Sequence, residues 1–560
     1  MAESKPGAVS QSPAAAAFAG IIQSAQTVAD ALAGQLAMAC FQGASEGHSC
    51  LEAASYFACR ESSDAAMALS ALFEGNRLVK TAHAPGQAID ACLMVVFKDR
   101  LYLKKSWLLE TSLLRHVQKR CNALSMPDVA DVSRRLAQCC LDKPLSLLTG
   151  GPGTGKTTAI SGAMVHWIAA FHARYGRTPK ILLCAPTGKA AARMNEAWQD
   201  QKPLLLQALR RDLHAALPEA ALTLHRLLAI HPITRHGRYH PDRPLQADLL
   251  VFDEASMIDL PMTLQLFDAL PDSCHVLLVG DPDQLPSIEI GSVLRALVSL
   301  PEGSRLHAQL RSAHVHLQQN YRQVESPGLT GLGQDLKSTA PELLISRLGS
   351  DAYADIRFLD TSRQSLSSVV ESAVGHYRAL AALPTVEQAV AMLGQRIILC
   401  PVRDGPSGCV TLNARIAHAL RTQSDEHGQV LMVIENVPSL GLSNGDLGIV
   451  WRHPDGLKAH FRSAGQALCL AITALPRHEP AYALTVHKAQ GSEFEHVDLV
   501  LPESDTPLLS MPLIYTAVTR ARKSLNILAK PATLLAALHR DCRRMNGLAV
   551  LAESTQQEIQ

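Results

Sequence analysis

The chain has 560 residues, of which 47% are apolar and 18% charged, and its formal net charge is +1. That length exceeds what one hydrophobic core can hold and fits roughly three to four domains, while the apolar share excludes extended disorder. The near-neutral balance excludes a global basic field, so contact with nucleic acid would have to come from a local groove.

Apolar residues from Ala14 to Ile22 have the look of a signal core, but Glu3 offsets Lys5 where a positive flank would stand, and the pattern continues through Val28, Leu32, Leu36 and Met38. This reads as the start of an amphipathic helix. No apolar run reaches the length of a membrane span. Residues 1–125 carry no catalytic signature and are expected to form a helical domain for packing or partner contact. From 126 to 335 the pattern becomes α/β, with apolar strands at Leu145 to Leu148, Ile181 to Cys184, Leu249 to Phe252 and Val276 to Val279. Such alternation implies a parallel sheet covered on both faces, with a small insertion near 230–245.

A second α/β pattern occupies 336–560, with strands at Arg396 to Cys400, His496 to Val500 and Leu525 to Leu528. Inside it, residues 425–478 change to short β-rich runs broken by turns (Val430 to Ile434, Gly448 to Trp451, Leu457 to Phe461, Ala467 to Ile472), which predicts a small inserted β-barrel. The basic clusters at Arg210-Arg211, Arg235 to Arg243, Arg520 to Lys523 and Arg540 to Arg544 carry little weight alone, since such runs are usually solvated faces. Thirteen cysteines are scattered without Cys-x-x-Cys spacing, which predicts free thiols in a reducing cytoplasm and no metal cluster.

The chemistry is concentrated at strand ends. Gly150-Gly151-Pro152-Gly153-Thr154-Gly155-Lys156-Thr157-Thr158 joins an apolar strand to a helix. A glycine-rich turn in that setting points successive backbone N–H groups at phosphate oxygens, and the helix N-terminus adds its dipole. Lys156 would reach the β- and γ-phosphates of ATP and Thr157 would ligate Mg²⁺. Asp253 and Glu254 follow the strand Leu249 to Phe252, where ligands sit in open α/β sheets; Asp253 would hold Mg²⁺ through water and Glu254 would orient or deprotonate the attacking water. Gln284, one strand later in Gly280-Asp281-Pro282-Asp283-Gln284, could sense the γ-phosphate. Phosphoryl transfer also draws on an arginine supplied across a cleft, and Arg322 and Arg520 are the candidates.

Together these segments resemble the superfamily-one DNA helicases, and within them the RecD-type α subunits of exodeoxyribonuclease V, over about residues 125 to 530. Ala185-Pro186-Thr187-Gly188-Lys189 and Thr223-Leu224-His225-Arg226 are similar to single-strand contacts of that family, and Thr485-Val486-His487-Lys488-Ala489-Gln490-Gly491-Ser492-Glu493-Phe494 to the segment linking DNA to the nucleotide cleft. Asn444-Gly445-Asp446 looks like the turn opening an inserted SH3-like barrel, and Glu46-Gly47-His48-Ser49-Cys50-Leu51 is similar to an N-terminal stretch of RecD subunits. The resemblance implies two RecA-like P-loop lobes in an α/β fold and ATP with Mg²⁺ as cofactors. It implies DNA contact through Pro186, Thr187, Thr223, His225, Asn444, Thr485, His487 and Gln490, with Gly491 at the nucleotide. It further implies five-prime to three-prime movement on single strands from DNA ends, and assembly with RecB-like and RecC-like subunits for recombination repair, nuclease activity residing in the RecB partner. Many relatives carry an adenine-reading glutamine upstream of the phosphate loop; Ser133 stands about there, with Gln138 nearby, which leaves strict ATP preference open. Three alternatives are an autonomous helicase, an RNA helicase, and a P-loop switch or loader. A short N-terminal region argues against the first, and two arginines within one chain beside a second lobe argue against the last.

Overall fold

The computed structural model describes residues 28–52, 73, 76–121, 131–231, 233–321, 326–350, 352–363, 366–420, 426–463, 466–540 and 544–557. The apolar patch at 14–22 and Arg322 lie outside them.

The N-terminal region is not helical throughout, as the sequence suggested. Between α1 (Val28–Ser45) and α2 (Lys104–Arg120) it holds a four-stranded sheet in the order β1-β4-β3-β2, built from β1 (Leu51–Glu52), β2 (Val79–Thr81), β3 (Met94–Phe97) and β4 (Arg100–Leu103). The reason lies in burial on both faces. Met94 and Val96 pack with Leu36 and Cys40 of α1, whereas Val95 and Phe97 pack with Trp107 of α2. A strand buried on both sides shows no polar alternation, and so short an apolar run cannot be told from a helix by period.

The first α/β lobe begins with α3 (Val132–Asp142), which packs along α4 (Lys156–Tyr175). Its six-stranded sheet has the order β10-β5-β9-β8-β6-β7, from β5 (Leu145–Gly150), β6 (Ile181–Ala185), β7 (Ala221–Thr223), β8 (Leu249–Phe252), β9 (His275–Gly280) and β10 (His314–Leu317). Every pairing is parallel, so all six carboxyl ends emerge on one edge. β5, β8 and β9 are buried along their whole length, as central strands of a covered parallel sheet must be. Helix α5 (Gly188–Ala208) starts where β6 ends, with Thr187 Oγ1 accepting from Ala190 N at 3.2 Å. Residues 229–231 and 233–247, between β7 and β8, contain no helix or strand.

The second lobe has a parallel sheet in the order β11-β20-β19-β12-β18: β11 (Ile356–Asp360), β12 (Arg396–Cys400), β18 (Ala483–Thr485), β19 (Phe494–Val500) and β20 (Ala521–Ala529). Helix α6 (Met511–Val518), buried almost throughout, precedes β20. The β-rich insertion is a five-stranded antiparallel sheet, β16-β15-β14-β13-β17, made from β13 (Val430–Val433), β14 (Leu447–His453), β15 (Gly456–Ser463), β16 (Gln466–Ala471) and β17 (His478–Pro480). No helix among the described residues is long and apolar enough to cross a membrane, and the described cysteines are free.

The end of the chain leaves the second lobe, where the sequence reading had kept it. Helix α7 (Leu548–Gln557) returns to the N-terminal region, with Leu548, Leu551 and Ala552 joining the core of Tyr102, Trp107 and Leu113. Gly547 permits this docking, because a Cβ there would lie 1.6 Å from the Tyr102 hydroxyl. Gly547 N donates to both Glu110 carboxylate oxygens at 3.0 and 2.9 Å, and Ser49 Oγ donates to Glu110 as well. Burial nevertheless pushes the Glu110 carboxyl up to about 7, against the opposing pull of the Ser49, Gly547 and Tyr102 hydrogen bonds. A folded value above the unfolded one favours the protonated form. Its stabilising share is therefore complete below pH about 4.5 and lost as pH rises through about 7. Thermal melts from pH 5 to 8 should show the wild-type midpoint falling relative to that of Glu110→Gln; parallel curves would mean that Glu110 does not titrate in this range.

Candidate nucleotide pocket and interlobe groove

The loop after β5 turns directly into α4. Gly155 takes φ 78° and forms the N-terminal cap of the helix, a conformation open to glycine and costly for other residues. Lys156 Nζ donates to the carbonyls of Gly150 and Gly151 at 2.7 and 2.9 Å, and Thr154 Oγ1 to Gly151 O at 2.8 Å. The loop backbone thus holds its own cation at the mouth of the helix. A cavity of about 270 Å³ opens there, lined by Pro152 to Thr158, Asp253, Glu254, Gln284, Gly491 and Arg520. Parallel pairing explains the convergence: β5, β8 and β9 end side by side, and each end carries one part of the lining.

Asp253 and Glu254 sit on a strained turn, with Glu254 at φ 53° although it is not glycine. Burial first, and then the neighbouring Glu254 charge, push the Asp253 carboxyl up to about 6, while Lys156 opposes the shift. Lys156 and Arg193 offset this only in part. Gln284 is buried beside Asp281, with Nε2 donating to Oδ2 at 3.4 Å. Asp281 also accepts from Tyr515 Oη of α6 at 2.9 Å, a direct bond between the lobes.

Arg520 enters the same cavity from the second lobe and is 2% exposed. Its guanidinium donates to Thr516 O at 3.1 Å, Ser492 O at 3.1 Å and Thr519 Oγ1 at 3.3 Å, all within its own lobe. Burial lowers its pKa, and the Glu254 carboxylate is the leading charge that opposes this. Arg193 and Glu493, which line the cavity, and Tyr321, which covers Gly155 beside it, were given no role in the sequence reading. Arg193 stands one turn along α5 from Lys189 and pairs with Glu493 at 2.6 Å, again across the lobes. Tyr321 N donates to Gly153 O at 3.0 Å, and its ring covers Gly155, where a Cβ would stand 3.2 Å from Cε2. Glu493 lies inside the Thr485 to Phe494 motif, Arg193 follows the Ala185 to Lys189 motif by four residues, and Tyr321 is adjacent to Arg322, so proximity to a motif was the available signal. Ser133 and Gln138 do not line the cavity.

A second cavity, about 400 Å³, lies between the lobes. Pro186, Thr187, Thr223, His225, Asn444, His487 and Gln490 line it together, as the sequence reading grouped them. Thr485 does not; its Oγ1 accepts from Lys488 N at 3.3 Å and shapes the turn behind the lining. Lys189, Met257, Ile288, Met432 and Asn436 are also in the wall. Ile288 is 77% exposed, an apolar side chain offered to the cavity. The insertion closes over this wall: Asn444 N donates to Asn436 Oδ1 at 2.9 Å, and a Cβ on Gly188 would lie 2.5 Å from Ser443 Oγ. Burial pushes the Lys189 ammonium down to about 8, with Asp446 opposing and Arg193 and Arg520 reinforcing the shift. The two cavities share a border, since Gln490 lines one and Gly491 the other.

A family described as an AAA domain matches residues 134–289, and one described as a UvrD-like helicase C-terminal domain matches residues 480–528. The chain is 35% identical over 475 residues to the RecBCD enzyme subunit RecD of Mycolicibacterium smegmatis, covering 81% of this chain and 82% of that one. It is 32% identical over 466 residues to the RecD subunit of Haemophilus influenzae, covering 74% and 71%. Against the ATP-dependent RecD2 DNA helicase of Deinococcus radiodurans it is 31% identical over 388 residues, covering 68% of this chain and 46% of that one. With a phosphate loop, an acidic strand end and a second-lobe arginine on one cavity, and relatives that align along most of its length, the chain belongs to the RecD family of ATP-dependent DNA helicases.

Proposed function

We propose that this chain couples hydrolysis of ATP to five-prime to three-prime movement along single-stranded DNA, as the motor subunit of a helicase-nuclease that processes double-strand ends with RecB-like and RecC-like partners. The observation that carries this reading is the shared border of the two cavities, both built from both lobes. A nucleotide that draws the lobes together would necessarily reshape the groove beside it.

ATP and water give ADP and phosphate, the water oxygen bonding to the γ-phosphorus as the bridging oxygen departs. Glu254 accepts the water proton. Lys156 moves from its loop carbonyls onto the β- and γ-phosphates, and the helix N-terminus of α4 holds the β-phosphate. Arg520 stabilises charge on the transferring group, Gln284 reports the presence of the γ-phosphate, and Arg322 is a second candidate for that charge. Thr157 and Asp253 would suit Mg²⁺, which takes few protein oxygens when phosphates supply others, and whose charge would add to that of Lys156 beside the Asp253-Glu254 pair. Held by Thr157 and Asp253, the ion would supply positive charge against the charge that develops on the phosphates. Thr187, Thr223, His225, Asn444, His487 and Gln490 grip the strand, largely through its backbone, because the aromatic content is only 4%. The five-stranded insertion serves as an SH3-like barrel over the strand, the N-terminal region as the partner-docking domain, and free thiols suit a cytoplasmic setting.

Affinity purification of the tagged native chain should recover two large partners in stoichiometric amount, one bearing a second helicase with a nuclease. A chain that elutes alone and still unwinds five-prime-tailed duplexes would be an autonomous helicase. ATPase stimulation by DNA should exceed that by RNA of the same length, and the reverse would overturn the choice of substrate.

A further inference from the structure

The stretch 284–291 runs from one cavity to the other: Gln284 lines the nucleotide pocket and Ile288 the groove. Its first part is held by the second lobe. Leu285 N donates to Thr516 Oγ1 at 2.8 Å, and Leu285 O accepts from Gln490 Nε2 at 3.2 Å. Its second part contains no helix or strand and is held by a residue from the far end of the chain. The Arg544 guanidinium donates to Ser287 Oγ at 3.1 Å, Gly291 O at 2.9 Å and Ile288 O at 3.4 Å, and also to the carbonyls of Ser287 and Glu289. Ser287 Oγ itself lies 3.1 and 2.8 Å from the carbonyls of Glu289 and Gly291.

The N-terminal region completes the cluster. Gly291 N donates to Gly47 O at 2.9 Å, Met545 N to His48 Nδ1 at 2.8 Å, and Ser49 N to Met545 O at 3.0 Å. Gly47 has φ +89°, and a Cβ there would lie 2.3 Å from Arg544 Cζ. The Glu46 to Leu51 stretch, which the motor chemistry does not use, is thereby accounted for as the seat of this arginine.

Several backbone carbonyls gathered on one cation demand a planar fork with donors pointing in different directions, which Arg offers and Lys does not. The contacts fix where Ile288 enters the groove. We propose that Arg544 is a positioning residue for the coupled reaction: it sets the 284–291 stretch so that DNA in the groove accelerates hydrolysis in the pocket, and Gly47 and His48 hold it there. This rests on the reading of the chain as a DNA-stimulated ATPase.

The test uses the full-length chain with an oligo-dT single strand, measuring ATP hydrolysis with and without DNA, together with thermal melts. For Arg544→Ala the DNA-stimulated kcat should fall about tenfold, while the rate without DNA and the KM for ATP stay within about twofold. Arg544→Lys should recover only part of the stimulation, and Gly47→Ala, which displaces the guanidinium without removing its charge, should lower stimulation as well. Stimulation unchanged in Arg544→Ala overturns the proposal. So does a parallel fall of stimulated and basal rates, or loss of the folded chain, since either would make Arg544 a structural tie only. A wild-type chain without DNA stimulation would instead refute the motor reading on which the proposal stands.

Discussion

Lys156→Gln should abolish DNA-stimulated ATP hydrolysis, by at least about 100-fold, while single-strand affinity stays within about twofold of wild type. The split follows from where the side chain sits. Its ammonium lies against Gly150 and Gly151 at the mouth of α4, inside the nucleotide cavity, and it has no part in the groove wall. Gln fills nearly the same space and can still donate to a loop carbonyl, so the loop should keep its shape and only the charge be lost. Lys156 also opposes the upward shift of the Asp253 carboxyl, and its removal leaves the acidic pair still less compensated. Steady-state hydrolysis and fluorescence-anisotropy titration with a labelled oligonucleotide measure the two halves separately. Undiminished hydrolysis in the variant would sink the assignment of this pocket.

Arg520→Ala should cost about 10³-fold or more in turnover with little change in ATP affinity, the range seen when an arginine serving a phosphoryl-transfer transition state is lost. Its position fits a charge that acts late. In this structure the guanidinium is bonded to Thr516, Ser492 and Thr519 of its own lobe, and it faces the cavity that also holds Glu254. Lobe closure on ATP would let it exchange one of these acceptors for a phosphate oxygen, so that its benefit appears in kcat rather than in KM. Because Arg520 is buried, the Ala variant also leaves acceptors unsatisfied, and thermal melts with Arg520→Lys as companion separate that loss from the chemical one. Turnover within a factor of two of wild type would remove Arg520 from the mechanism.

The contacts between lobes connect these two predictions. Asp281 to Tyr515, Arg193 to Glu493 and Gln490 to Leu285 each join residues far apart in the chain, and each lies beside a cavity. Of these residues Gln490 also lines the groove, so any movement of the lobes at the nucleotide pocket would reach the groove through its bond to Leu285.

The sequence by itself determined the central strands of both parallel sheets, though not their edge strands β7, β10, β11 and β18, together with the phosphate loop, the acidic pair and the groove residues Pro186, Thr187, Thr223, His225, Asn444, His487 and Gln490. Those features are local: a buried apolar strand followed at once by Gly-rich or acidic residues marks a carboxyl end, and parallel pairing then brings such ends together whatever the intervening helices do. The five-stranded insertion was legible for a related reason, because its short strands are separated by turn residues. Only the tertiary structure decided the N-terminal sheet, whose β3 is buried on both faces and so carries no period. It alone decided the Arg193 to Glu493 pair, the docking of α7 on Tyr102 and Trp107, and the seat of Arg544 on the 284–291 carbonyls. These contacts span hundreds of residues, up to 497 between His48 and Met545, and depend on shape and hydrogen-bond geometry that no local pattern of residue types encodes.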